Sequence, residues 1–250
     1  MTAVAESMVL AAFVAFCRIG GCFLLMPGIA SVRVPIQVRL FVAVAATGAL
    51  LIHMWDQIVP FVSKQPGVLL PMIVSEVMIG GLIGLVTRVY ILALQFAGAA
   101  IAMMIGYGGM AGPGIEEPEP QAPLAAIISF AALLLLFVFD FHHEIVKALV
   151  QSYRVAPANV FFNPQSALVD LTDTLSESFM VMIRLGSPFI AYGLLVNVTI
   201  GFINKLTPQI PVYFISLPFV IAGGLVMLYF AIPTLLSLFA DGFIPVTIGR

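Results

Sequence analysis

Charged residues recur inside the apolar stretches of this 250-residue chain or at their ends: Arg18, Glu76, Arg88, Asp140, Glu144 and Arg184. One such charge at a bilayer centre costs roughly 2.5–3.5 kcal/mol on insertion scales, so each must find a partner or do chemistry. Glu76 and Arg88 stand twelve residues apart, about 18 Å along a helix at 1.5 Å per residue, and cannot pair with each other. Arg18, Arg39, Glu76, Arg88 and Arg184 are therefore read as groups that pair between helices or between subunits. The alternative is a small secondary transporter or ion channel whose broken helices hold a midplane site at Glu76 and Arg184.

Enzymatic patterns fail on their spacing. His143-Glu144-Ile145-Val146-Lys147 begins like H-E-x-x-H, but Lys147 stands where the second zinc ligand is required. No nucleophile elbow of the G-x-S-x-G type occurs, and Gly106-Tyr107-Gly108 lacks the third glycine of a dinucleotide loop. Cys17 and Cys22 lie five apart within an apolar run, which suits neither a redox pair nor a zinc site. His142 and His143 read as polar tips at a boundary, not as a metal pair. No catalytic residue, metal ligand or cofactor is expected.

The elements that must position these residues follow from composition. With 62% hydrophobic and 9% charged residues and a mean hydropathy of +1.15, the chain carries more apolar surface than one soluble core could hide. In lipid every backbone N–H and C=O needs an internal partner, and continuous apolar runs without alternation select helices over a barrel. The runs are Met8–Met26, Leu40–Val62, Pro71–Thr87, Val89–Ile105, Leu124–Phe139, Phe179–Ile203 and Val212–Phe239. The expected fold is all-α: membrane-associated hairpins, kinked by Pro and Gly. The third and fourth runs are separated only by Thr87 and Arg88, too little for two independent spans to turn around, so they are read as one long or kinked helix. Gly80 and Gly84 make a G-x-x-x-G that lets helices approach closely. MTAVAESM lacks a basic n-region and is read as uncleaved.

Gly106–Pro123 is the long segment that is neither apolar nor helical in pattern; glycines and prolines loosen it, and Glu116, Glu117 and Glu119 keep it wet. With the N-terminus outside, a crossing model puts Arg33, Arg39, Arg88, Lys147, Arg154 and Arg250 in the cytoplasm, against Lys64 and Lys205. A net charge of −2, with cations scattered singly, argues against nucleic acid as a partner.

The order of features resembles the FliR/SctT family of flagellar and type III secretion export-gate proteins. Arg18-Ile19-Gly20-Gly21 leads to Met26-Pro27 and Val34-Pro35-Ile36-Gln37-Val38-Arg39. Glu76 with Gly80 and Gly84, Gln95 to Gly98, and Gly106 come next; Phe141-His142-His143, Ser152-Tyr153 to Pro157 and the hairpin-loop pair Pro208-Gln209 complete it. Departures are Pro211, where an Asn is common, and Glu117-Pro118 in place of Asp-Pro.

The resemblance implies a single, non-enzymatic module over residues 1–250, with N-terminal hairpins (1–105), a plug-like loop (106–123) and C-terminal hairpins (124–250). Such a module would form part of a protein-conducting channel for unfolded substrates in a bacterial inner membrane, at a flagellar basal body or injectisome base. The partners implied are FliP/SctR-like and FliQ/SctS-like gate subunits, with FlhB/SctU-like and FlhA/SctV-like export proteins. The resemblance also implies that Gly106, Tyr107, Gly108, Gly109, Met110, Gly112, Pro113, Gly114, Glu116 and Glu117 line a loop that closes the pore.

Overall fold

The computed structural model describes residues 2–31, 33–62, 65–108 and 122–248. Every regular element among them is helical, in agreement with the all-α expectation: α1 (Thr2–Leu25), α2 (Ile36–Ile58), α3 (Pro66–Met104), α4 (Pro123–Val138), α5 (Phe141–Val155), α6 (Pro164–Leu206) and α7 (Val212–Ile248). A single 3-10 turn, Val59–Phe61, follows α2.

Proline and glycine set the boundaries. Pro66, Pro123 and Pro164 open α3, α4 and α6, where a missing N–H costs nothing and the fixed φ already suits the helix. At the end of α3, Gly106 turns to φ +86° and closes a Schellman motif. Its N–H donates to the Met103 carbonyl at 3.1 Å, and the Tyr107 N–H reaches back to Ala102 at 2.8 Å. An L-side chain at residue 106 would be strained in this conformation.

Thr87 and Arg88 do not break the chain. The Thr87 hydroxyl donates to the Gly84 carbonyl within the helix at 2.7 Å, and α3 continues for 39 residues, about 58 Å, roughly twice a hydrocarbon core. This corrects the crossing model: Arg88 sits in mid-helix and not at a cytoplasmic turn, so the charge count that relied on a crossing on each side of it does not stand. Among the described residues, five helices are long and apolar enough to cross a membrane, or six if α4 and α5 form one broken span.

Contacts group the chain into two compact units, the first built mainly from residues up to Val89 with Phe139–Leu175, the second from Tyr90–Val138 and Ser176–Phe243. In the first, α1 buries Val14, Ala15, Arg18, Ile19, Cys22 and Phe23. Helix α5 buries a single stripe, Phe141, Ile145, Leu149 and Tyr153, at a spacing of four, and turns His143, Lys147 and Arg154 outward. In the second, Gly98 of α3 lies so close to α4 that a Cβ would meet the Ala125 Cα at 3.3 Å. The Tyr192 hydroxyl of α6 donates to the Val220 carbonyl of α7 at 2.7 Å.

Much of this apolar surface stays uncovered within the chain. Only 11% of the most apolar stretch of α2, 22% of that of α6 and 11% of that of α7 are buried, leaving Phe41, Ile52, Leu195, Phe202, Phe214, Phe219 and Phe230 bare. Surfaces this large and continuous require lipid or protein against them.

Candidate functional site

The first unit is organised around Arg18, which is completely buried. Its Nε donates to Glu76 Oε2 at 2.7 Å and its Nη2 to Glu76 Oε1 at 2.8 Å, a two-pronged pairing between α1 and α3. Nη1 donates to the Ser152 hydroxyl and Nη2 also to the Ala156 carbonyl, both at 2.9 Å, which ties in the end of α5. The Tyr153 ring lies under the guanidinium with its centroid 3.7 Å from Cζ, and its hydroxyl donates to Glu76 Oε2 at 2.9 Å. Ser152 in turn donates to the Leu149 carbonyl. A buried charge survives only when paired and hydrogen-bonded, and this one is held on both edges and one face.

Local sequence explains the assembly. Gly80 follows Glu76 by one helical turn and packs directly on the Arg18 carbonyl. A Cβ at Gly84 would fall 2.5 Å from the Cys22 carbonyl oxygen, and one at Gly21 would fall 2.7 Å from that of Val77. These glycines let the α1 and α3 backbones touch, which brings the arginine within reach of the glutamate. Next to them, the Ser75 hydroxyl accepts the Phe162 N–H at 2.7 Å and secures the connection into α6.

The Tyr153 hydroxyl contributes one hydrogen bond to a carboxylate, whereas its ring contributes packing and the cation–π contact. Tyr153→Phe should therefore lose about 1.5–3 kcal/mol of stability, and Tyr153→Ala should lose more, about 3–5 kcal/mol, since ring and hydroxyl both go. Thermal unfolding of the two variants in detergent checks the ranking; equal losses would mean that the ring adds nothing beyond the hydroxyl, and an unshifted Tyr153→Phe that the hydroxyl does nothing.

The other residues singled out by sequence take different places. Arg39 donates to the Val34 and Ser31 carbonyls at 3.1 and 2.6 Å and so ties down the loop before α2, with no acidic partner in those bonds. Arg88 is half-buried on α3, and Arg184 is exposed on α6. Pro208 and Gln209 are exposed in the turn between α6 and α7. Of the loop residues, Gly106 and Tyr107 cap α3 and Gly108 follows them, while Gly109, Met110, Gly112, Pro113, Gly114, Glu116 and Glu117 lie outside the described residues. Sequence reading did not assign Ser152 and Tyr153 as the partners of Arg18. The four-residue stripe that ends on Tyr153 was the available signal.

Long helices with bare apolar faces, with a buried, fully satisfied ion pair between α1 and α3, define a membrane protein built to be covered by other molecules. Residues 9–244 match the model for bacterial export proteins, family 1, and the chain belongs to that family. It is 27% identical over 228 residues to the flagellar biosynthetic protein FliR of Caulobacter vibrioides, which covers 90% of each chain. The FliR of Aquifex aeolicus is 25% identical over 234 residues, 91% of this chain and 87% of the relative. The FliR of Escherichia coli K12 is 25% identical over 162 residues, 64% and 61% of the two chains. The resemblance drawn from motif order agrees with these matches.

Proposed function

We propose that this chain is a subunit of a flagellar-type protein-export gate, forming part of the channel through which unfolded substrates leave the cell. The family match over nearly the whole chain carries the reading, and the uncovered faces of α2, α6 and α7 support it, because a channel subunit must reserve apolar surface for neighbours. Its role is to form a conduit and not to catalyse a reaction. FliP-like and FliQ-like subunits cover those faces, FlhB-like and FlhA-like proteins dock on the assembly, and the whole sits in the inner membrane at the basal body. The transporter alternative loses support because Glu76 commits both carboxylate oxygens to Arg18 and Tyr153, which leaves no open carboxylate for a transported ion.

The segment 106–123 is the proposed plug. A glycine-rich segment sits at the low-stability end of a structure and is displaced at low cost when substrate arrives. Co-expression with the two gate-subunit types, purification in mild detergent and native mass spectrometry test the assembly. A stable hetero-complex is expected, and a chain that never recruits the partners would overturn the reading. In that complex, deletion of residues 108–117 should raise the leakage of small solutes while assembly persists; unchanged leakage would remove the plug.

A further inference from the structure

We propose that Asp140, His142 and His143, at the entry to α5, form a binding site for a divalent transition-metal ion of the zinc class. A carboxylate oxygen and one nitrogen from each imidazole all lie within 4.8 Å of one another. Asp140 Oδ1 stands 3.7 Å from His142 Nε2 and 3.5 Å from His143 Nδ1. Both distances exceed the 2.7–3.2 Å of an ordinary N–H···O bond. They lie close to the edge of a coordination tetrahedron, about 3.4 Å for metal–ligand bonds of about 2.1 Å.

The backbone at Asp140 supports this use. Asp140 is the one described non-glycine residue with positive φ, at 56°, and although it occupies the N-cap of α5 its side chain makes no capping hydrogen bond. An aspartate at this position ordinarily accepts a bond from an N–H of the first turn. Here the left-handed turn carries the carboxylate to the imidazoles instead, a local strain that other interactions must offset. Phe141, buried between the ligands, anchors the segment to the core. Glu144 is engaged by Lys147 at 2.6 Å and stays outside the set.

Two imidazoles with one carboxylate suit zinc, nickel or copper, and disfavour magnesium and calcium, which take oxygen ligands. The side chains of Asp140 and His143 are about two-thirds exposed and that of His142 about one-third, at 68%, 66% and 38%. The site is therefore open, with three protein ligands and a fourth position for water or a donor from a neighbouring molecule. The sequence reading set the histidine pair aside as polar tips at a boundary, and Asp140 was not weighed with them.

Titration of the untagged full chain in detergent with Zn²⁺, followed by calorimetry, tests the site, and Co²⁺ serves as a spectroscopic stand-in. One saturable ion per chain is expected, with the intense visible bands of four-coordinate cobalt. His143→Gln should weaken binding at least tenfold. Asp140→Gly should do the same without lowering thermal stability, since glycine adopts this φ freely and only the carboxylate is lost. His53→Gln, on α2, should leave binding unchanged. Affinity unaltered in the His142→Gln/His143→Gln double variant, or no saturable uptake by the unsubstituted chain, would overturn the assignment.

Discussion

Glu76→Ala should produce one of the largest losses of stability of any single change in the first unit. Removing the carboxylate leaves the Arg18 guanidinium, 0% exposed, without its counter-charge. Breaking a buried pair from one side costs about 3–5 kcal/mol, a large share of the roughly 5–15 kcal/mol that holds a typical domain folded. At about 2–4 °C per kcal/mol for a chain of this size, the melting temperature in detergent should fall by about 6 °C or more, and the protein should accumulate less in membranes. Glu76→Gln should be milder, because an amide oxygen still accepts from Arg18. Arg18→Met combined with Glu76→Met should be milder than the sum of the singles, because no lone charge stays buried. A Glu76→Ala chain that melts within a degree of the unsubstituted protein would mean that the pair is ornamental.

The network also shows why some of the fold was legible in sequence and some was not. Helix ends were marked by chemistry that acts locally. Pro66, Pro123 and Pro164 open helices and Gly106 closes one, whereas Pro71 and Pro188 lie inside α3 and α6, so a residue type marks an end only together with the loop residues beside it. The continuity of α3 was less visible because Thr87 and Arg88 interrupt hydrophobicity, not helical geometry. A polar pair costs a helix little when a threonine hydroxyl can bond back to the preceding turn.

Pairing was harder still. Arg18 meets Glu76 across 58 residues and Ser152 across 134, and no periodicity encodes which of several buried charges will meet. The cost argument could say that each intramembrane charge needs a partner; only the three-dimensional packing of α1, α3 and α5 names it. The same holds for Asp140, whose left-handed backbone is a property of the junction and not of the helix pattern on either side. Arg184 marks the limit of the rule from the other direction. It lies on an exposed face of α6, so its partner, whether lipid headgroup, water or neighbouring subunit, is external to the helix.

Gly80→Ala should separate close helix packing from simple helix propensity. In a helix interior, alanine in place of glycine is worth about 0.5–1 kcal/mol in favour of folding, so propensity alone predicts a more stable protein. Packing predicts the reverse, because the new methyl would overlap the Arg18 carbonyl, a backbone atom with no rotamer to yield. Forcing a methylene-sized group into a filled interface costs about 1–3 kcal/mol, and a backbone neighbour puts this site at the upper end or beyond. The net expectation is destabilisation by about 1–2 kcal/mol or more, with the α1 backbone pushed off α3. The displacement carries Arg18 away from Glu76, so Gly80→Ala and Glu76→Ala together should cost less than their sum. Gly84→Ala, whose Cβ would lie 2.5 Å from the Cys22 carbonyl oxygen, should behave in the same way. Gly48→Ala on α2, where a Cβ meets nothing within 4 Å, should stabilise the isolated chain slightly by propensity. Thermal unfolding of the four variants in one detergent decides the matter. A Gly80→Ala protein as stable as Gly48→Ala would mean that α1 and α3 have room to spare and that the ion pair alone holds them together.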